Sequence, residues 1–227
     1  IYSSYDDTKA IMFSIGCASI WLGLLNSVQE ICKEKVILQK EHMADLKLSS
    51  YLLSKFIVQG IIAFIQATLL VGIFQKIVGS SEHSILIDGY WDIQLVSFLS
   101  ILAAASTGLF ISAVVKNSNI AMSVIPLILV PQLLYSGMLF KLDGITDFVS
   151  NFVLCRWTVE ALGTSVNLND LTHIAQTINP LIEIEPENYF TFTTEHMIEV
   201  IGIILLMTAV LMLASYFVLR KNVNKNM

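Results

Sequence analysis

The sequence predicts an all-α membrane protein, a polytopic helical bundle, and three observations carry that prediction. Apolar stretches of about 20 residues or more recur at Ala10–Val28, Tyr51–Val78, Ile93–Val115, Ile120–Phe140 and Val200–Leu219. Each is long enough as a helix to cross a hydrocarbon core about 30 Å thick. Charged residues make up only 14% of the chain and hydrophobic residues 55%, whereas soluble domains carry about 25% charge. Basic residues fall almost entirely in alternate gaps between the stretches. Mean hydropathy is +0.72. A soluble helical core would have to hide five helices with almost no polar face. The third and fifth stretches contain no charged residue at all.

The basic residues set the expected orientation. Lys33, Lys35, Lys40, Lys47, Lys55, Lys116, Arg220, Lys221 and Lys225 lie on one side of the expected bundle, and Lys9, Lys76, Lys141 and Arg156 on the other. The positive-inside rule makes the richer side cytoplasmic. The N-terminus is then outside and the C-terminus inside, as five spans require. The formal net charge of −5 reflects an acidic external segment, and nucleic acid is not an expected partner. The chain begins at Ile1 with no signal peptide ahead of the first span, which predicts a fragment of a longer chain. Cys17 falls in the membrane, Cys32 inside and Cys155 outside, so no disulfide within the chain is expected.

The segment after the first span, 29–50, is the most charged part of the chain and lacks Pro and Gly. Ile31, Val36, Ile37, Leu38, Met43, Leu46 and Leu48 recur in it at helical spacing, which predicts an amphipathic helix on the inner membrane surface. It serves there as an interfacial anchor, a platform for a cytoplasmic partner, or both. The second span exceeds what a bilayer needs and is expected to tilt or extend inward, with Lys55 snorkelling at its inner end. In the third span, Ala104 and Gly108 form a small-xxx-small face for close helix contact. Lys116–Asn119 closes a hairpin to the fourth span. There Pro126 and Pro131 remove backbone donors, and with Gln132, Tyr135, Ser136 and Gly137 they predict a helix that bends or opens near its outer end.

The external segment 141–197 is too long for a simple connector. Phe148, Phe152, Trp157 and Leu162 predict a short re-entrant or interfacial helix at its start, with an Arg156–Glu160 pair at i,i+4. Asn179-Pro180 and Glu185-Pro186 break the remainder. The Ser, Glu and His of 79–84 sit together without a nucleophile elbow, so a hydrolase is not expected. Glu195, His196 and Glu199 give too few ligands for a metal and read as a polar span entrance. No phosphate-binding loop motif occurs, so this chain is not expected to hold ATP itself.

Three segments, in order, resemble one family. Glu34-Lys35, Lys40-Glu41, Leu46 and Ser50-Tyr51-Leu52-Leu53-Ser54-Lys55 are similar to the inner segment of type-2 ABC exporter permeases of the G-subfamily, the White and pleiotropic drug resistance class. Pro126, Pro131-Gln132, Ser136 and Gly137 resemble the end of that family's fifth span. Arg156-Trp157, Glu160, Ala161 and Leu162 resemble its external helix. The sequence departs from the pattern at Lys40 and Asp45. The resemblance implies six spans, so the five here are the last five. It also implies a homo- or heterodimer and a nucleotide-binding domain, upstream or separate, that carries ATP and Mg, while the high Ile, Lys and Asn content points to a bacterial plasma membrane.

Under that resemblance Glu34, Lys35, Lys40, Glu41 and Asp45 are expected to contact the nucleotide-binding domain. Asn26, Ser123, Gln132 and Tyr135 are candidates to line a dimer-interface cavity, although hydrogen bonding between helices is the plainer role for each. Pro126, Pro131 and Gly137 are candidates for a gate, and Arg156, Trp157 and Glu160 mark the external helix. The expected function is transport by alternating access in an ATP-driven exporter. The alternative is a membrane scaffold or sensor whose segment 141–197 binds a partner.

Overall fold

The computed structural model describes residues 5–43, 46–79, 84–138, 144–172 and 188–225. Helix α1 (Tyr5–Ser27) leads through a 3-10 turn (Cys32–Glu34) into a short helix, α2 (Lys35–Met43). There follow α3 (Leu48–Val78), α4 (Gly89–Val114), α5 (Ser118–Leu134), α6 (Ile145–Ser150) and α7 (Leu154–Ser165). A 3-10 turn (Asn188–Phe190) precedes the last helix, α8 (Thr194–Lys225). Among the described residues, four helices are long and apolar enough to cross a membrane: Tyr5–Glu34, Leu48–Val78, Gly89–Val114 and Thr194–Val223. The chain is a polytopic helical membrane protein.

The predicted fourth span, Ile120–Phe140, differs from the observed helix. Helix α5 has 17 residues and stops at Leu134, a length of about 26 Å. Its end has a local cause. The Tyr135 N–H bonds back to the Pro131 carbonyl at 2.9 Å and the Ser136 hydroxyl donates to the Leu133 carbonyl at 2.7 Å. Gly137 then adopts φ +81, a left-handed conformation that a side chain disfavours. Pro126 and Pro131 both lie within α5. The amphipathic helix expected across 29–50 is also shorter than its pattern, because only Lys35–Met43 forms α2 and α3 already begins at Leu48.

Helix α4 is the centre of the bundle, packed on by α1, α3, α7 and α8. Its small residues let α1 approach backbone to backbone. A Cβ on Gly23 would meet the Ile101 carbonyl oxygen, with the Ala104 Cβ at 2.8 Å and the Ala105 nitrogen at 2.9 Å. A Cβ on Gly108 would meet the Ser27 hydroxyl, with the Leu24 carbonyl at 3.0 Å. The Ala104–Gly108 face therefore works as its sequence suggests, and Gly23 is its partner. The two helices run parallel, since Gly23 lies beside Ala104, Ser27 beside Gly108, and the N–H groups of Ile31 and Cys32 both donate to the Ser112 hydroxyl at 2.9 Å.

Helix α3 turns a stripe of Ile57, Ile61, Ile65, Leu69, Ile73 and Ile77 outward, each more than half exposed. Leu206, Val210, Leu213 and Phe217 do the same on α8. Apolar area on this scale suits lipid and not water.

The start of the external segment, expected as one re-entrant or interfacial helix, forms two short helices. Asn151–Val153 divides α6 from α7, and every residue of α7 but Trp157 is buried. Helix α7 packs among α1, α4 and α8, and Thr158, Val159 and Leu162 lie over Gly16. This inserted position brings together two cysteines that the expected topology separates, for the Cys17 and Cys155 thiols lie next to each other. Treating the full-length protein in membranes with a lipophilic thiol oxidant should therefore remove both thiols from alkylation together. Independent labelling of the two would contradict the docking of α7 on α1.

Candidate functional site

Two polar clusters stand at opposite ends of the bundle. At the basic end, Lys55 of α3 reaches back to the end of α1. Its ammonium lies 2.7 Å from a Glu34 oxygen and 3.3 Å from a Glu30 oxygen. The Tyr51 hydroxyl donates to the other Glu34 oxygen at 2.9 Å. Beneath these polar contacts Ile31, Leu38, Leu48, Leu52, Leu109, Leu219 and Val223 form one buried cluster. The Lys35 ammonium donates to the Val115 carbonyl at 3.3 Å, and the Asn222 amide to the Ala113 carbonyl at 3.0 Å. The end of α1 and the starts of α2 and α3 are thus tied to the ends of α4 and α8. Lys40 and Glu41 project from α2 into the open. Asp45 lies outside the described residues.

The expected cavity-lining residues differ in what they meet. Asn26 and Ser123 are exposed, and the Ser123 hydroxyl donates to the Asn119 carbonyl of its own helix at 3.0 Å. Tyr135 is half-buried at the end of α5. The Gln132 side-chain oxygen accepts the Cys155 N–H at 2.8 Å, satisfying an orphan donor at the N-terminus of α7. Gln132 joins helices, as its plainer reading expects.

At the acidic end, Arg156 is 8% exposed. Its guanidinium stacks on the Trp157 and Tyr189 rings, 4.6 and 4.9 Å from their centroids, hydrogen-bonds Asn151, and lies 3.8 Å from Asp147 and 3.8 Å from Glu160. The Trp157 indole donates to the Asn151 carbonyl at 2.9 Å. His196 of α8 completes the cluster, with Nε2 3.3 Å from Glu160 and 3.0 Å from the Tyr189 carbonyl. Both neighbours are acceptors, so Nε2 is assigned the proton. His196, one of the residues read as a polar span entrance, therefore binds the external helix.

Burial pushes the Glu160 carboxyl up to about 7, with Glu199 and Asp147 adding to the rise and Arg156 opposing it. A group with a raised carboxyl pKa holds its proton in the folded chain after the unfolded chain has lost it. Stability therefore falls as pH climbs from the ordinary 4.5 towards 7 and levels off above that. Glu160→Gln should flatten this slope in thermal melts of the purified protein and raise stability on the alkaline side.

Sequence reasoning missed Asp147, Tyr189 and His196 as partners of Arg156 and Glu160, because the contacts cross from α6, the 3-10 turn Asn188–Phe190 and α8. It also missed Asp92, which is fully buried and accepts the N–H groups of Ile85, Leu86 and Ile87 at 2.7, 3.1 and 3.1 Å. Among the described residues, no group of three or more His, Cys, Asp or Glu is placed to hold a metal.

The family model of the ABC-2 type transporter membrane domain matches residues 2–165, from the first helix through α7. The chain belongs to the ABC-2 type transporter family. Both polar clusters draw on the matched region. The chain is also 22% identical over 162 residues to the ABC transporter ATP-binding/permease protein Rv1747 of Mycobacterium tuberculosis. That similarity covers 70% of this chain and 19% of the relative, so the chain spans about a fifth of the relative's length. Helix α8, with its His196 contact, lies beyond the family match.

Proposed function

We propose that this ABC-2 chain is the membrane half of an ATP-driven exporter of the G-subfamily type, working by alternating access as a dimer in a bacterial plasma membrane. A nucleotide-binding domain, fused upstream or separate, would hold ATP and Mg and press on the basic end, which is cytoplasmic in this reading together with the C-terminus. The observation that carries it is the tie between Lys55, Glu30 and Glu34 beneath the exposed α2. A push on Lys40 and Glu41 passes through Glu34 and Lys35 into α3 and α4 at once. Asn26, Ser123, Gln132 and Tyr135 are the candidates to face a transport cavity against the second half, with Pro126, Pro131 and Gly137 at its outer closure. The family match and the fused ATP-binding/permease relative support the reading.

Glu41 is exposed, so reversing its charge should leave the fold intact. In the full-length transporter, Glu41→Lys should lower ATP hydrolysis by about fivefold or more, the low end of couplings between sites, with an unchanged melting temperature. Hydrolysis equal to the parent's would remove Glu41 from the contact.

A further inference from the structure

We propose that Glu160 is a proton-binding site linked to the docking of α7: its carboxyl holds a proton while α7 is packed against α8 and releases it when α7 moves into water. The proposal depends on neither the direction of transport nor the identity of the ATPase.

The geometry leaves a charge at Glu160 poorly compensated. The residue is 5% exposed, and its Oε2 has no hydrogen-bond partner among the described residues. Arg156 Nε lies 3.8 Å away, too far to donate, and is itself without a hydrogen-bond partner. The rest of that guanidinium is engaged elsewhere, with Asn151, Asp147 and the two aromatic rings. His196 shares its one nearby nitrogen between Glu160 and the Tyr189 carbonyl.

The groups facing the carboxyl from each neighbouring element are Asp147 on α6, Arg156 on α7, Tyr189 in the 3-10 turn, and His196 and Glu199 on α8. Of the other helices on α7, α1 brings Lys9 over the Phe190 ring, and Asp92 of α4 is held by three backbone N–H groups. A dry carboxyl with one orphan oxygen and one distant cation favours its neutral form.

A cavity of about 20 Å³ opens beside the carboxyl, walled by Ser136, Met138, Arg156 and Tyr189. It has room for one water to accept the O–H of a protonated Glu160. The wall includes the turn that ends α5, so α5, α7 and α8 meet at this one group. Moving α7 away would hydrate the carboxyl and return it to an ordinary acid. The docked state thus binds a proton that the undocked state gives up, and acidity on this side of the bundle holds α7 in place.

Cys155 is fully buried in the docked state and reports undocking. With Cys17→Ser and Cys32→Ser as background, the full-length protein in lipid nanodiscs is labelled with N-ethylmaleimide, with and without Glu160→Gln. Comparison at equal pH cancels the thiol's own titration. The labelling rate of the protein that keeps Glu160, divided by the rate of the Glu160→Gln variant, should rise about tenfold between about pH 6 and about pH 8.5, as linkage from a docked value near 7 requires. A ratio that stays flat overturns the proposal. A second readout needs no variant to fold: the infrared carbonyl band of a protonated carboxylic acid should be present at about pH 5.5 and vanish on titration through neutrality. Its absence at the acid end also overturns the proposal.

Discussion

Gly23→Ala should destabilise the protein by about 3 kcal/mol or more, at the upper end of overpacking costs, and Gly23→Leu should leave little folded protein. The added carbon meets backbone, the Ile101 carbonyl and the Ala105 nitrogen, and backbone has no alternative rotamer. In a bilayer, helix association draws on close packing more than on the hydrophobic effect, so opening the α1–α4 crossing removes the contact that centres the bundle. The matched control is Gly202→Ala, where a Cβ meets nothing within 4 Å. There the same change should be neutral or slightly stabilising, because Ala is the better helix former by about 1 kcal/mol. Melting curves of the detergent-solubilised protein compare the two. Equal effects at both positions would contradict the close crossing.

Lys55→Met should cost about 1–2 kcal/mol of stability, between an exposed and a buried ion pair, and should also lower ATP hydrolysis in the full-length transporter. The Lys55 side chain is 17% exposed and stands between two carboxylates. Removing it leaves Glu30 and Glu34 facing each other one helical turn apart with no cation between them. Glu34→Gln should be milder, since Lys55 keeps Glu30. Combining the two substitutions should cost less than the sum of the singles. Strict additivity, measured by thermal melts and hydrolysis rates on the four proteins, would show that the tie does not act as a unit.

The spans were legible because their signal is a length. A run such as Ile93–Val115 has no polar face, and only a helix satisfies its backbone in lipid. The Ala104–Gly108 face was legible for a similar reason, since small residues one turn apart have few other uses in a membrane. Its partner Gly23 carried no signal of its own, because a single glycine in an apolar run does not say which helix it meets. The end of α5 at Leu134 was hidden by Met138, Leu139 and Phe140, which continue the apolar run after the Ser136-Gly137 turn has broken the helix.

The burial of α7 was hidden for the opposite reason. Arg156 and Glu160 left α7 open between an interfacial and a re-entrant helix, and their burial becomes tolerable only through Asp147, Tyr189 and His196, supplied from other segments. Lys55 likewise reads as a snorkelling cation until the end of α1 is folded beside it.

The central claim is that the end carrying Glu30, Glu34 and Lys55 faces the cytoplasm, where a nucleotide-driven partner can act on it. Lys116 and Glu195 are exposed at opposite ends of the bundle, so single cysteines there report sidedness most directly. Whole cells expressing the full-length protein with Lys116→Cys or Glu195→Cys are treated with a membrane-impermeant maleimide. Labelling at position 195 and protection at position 116 until the membrane is opened is the predicted result. The reverse pattern would place the Lys55 cluster outside and contradict the account.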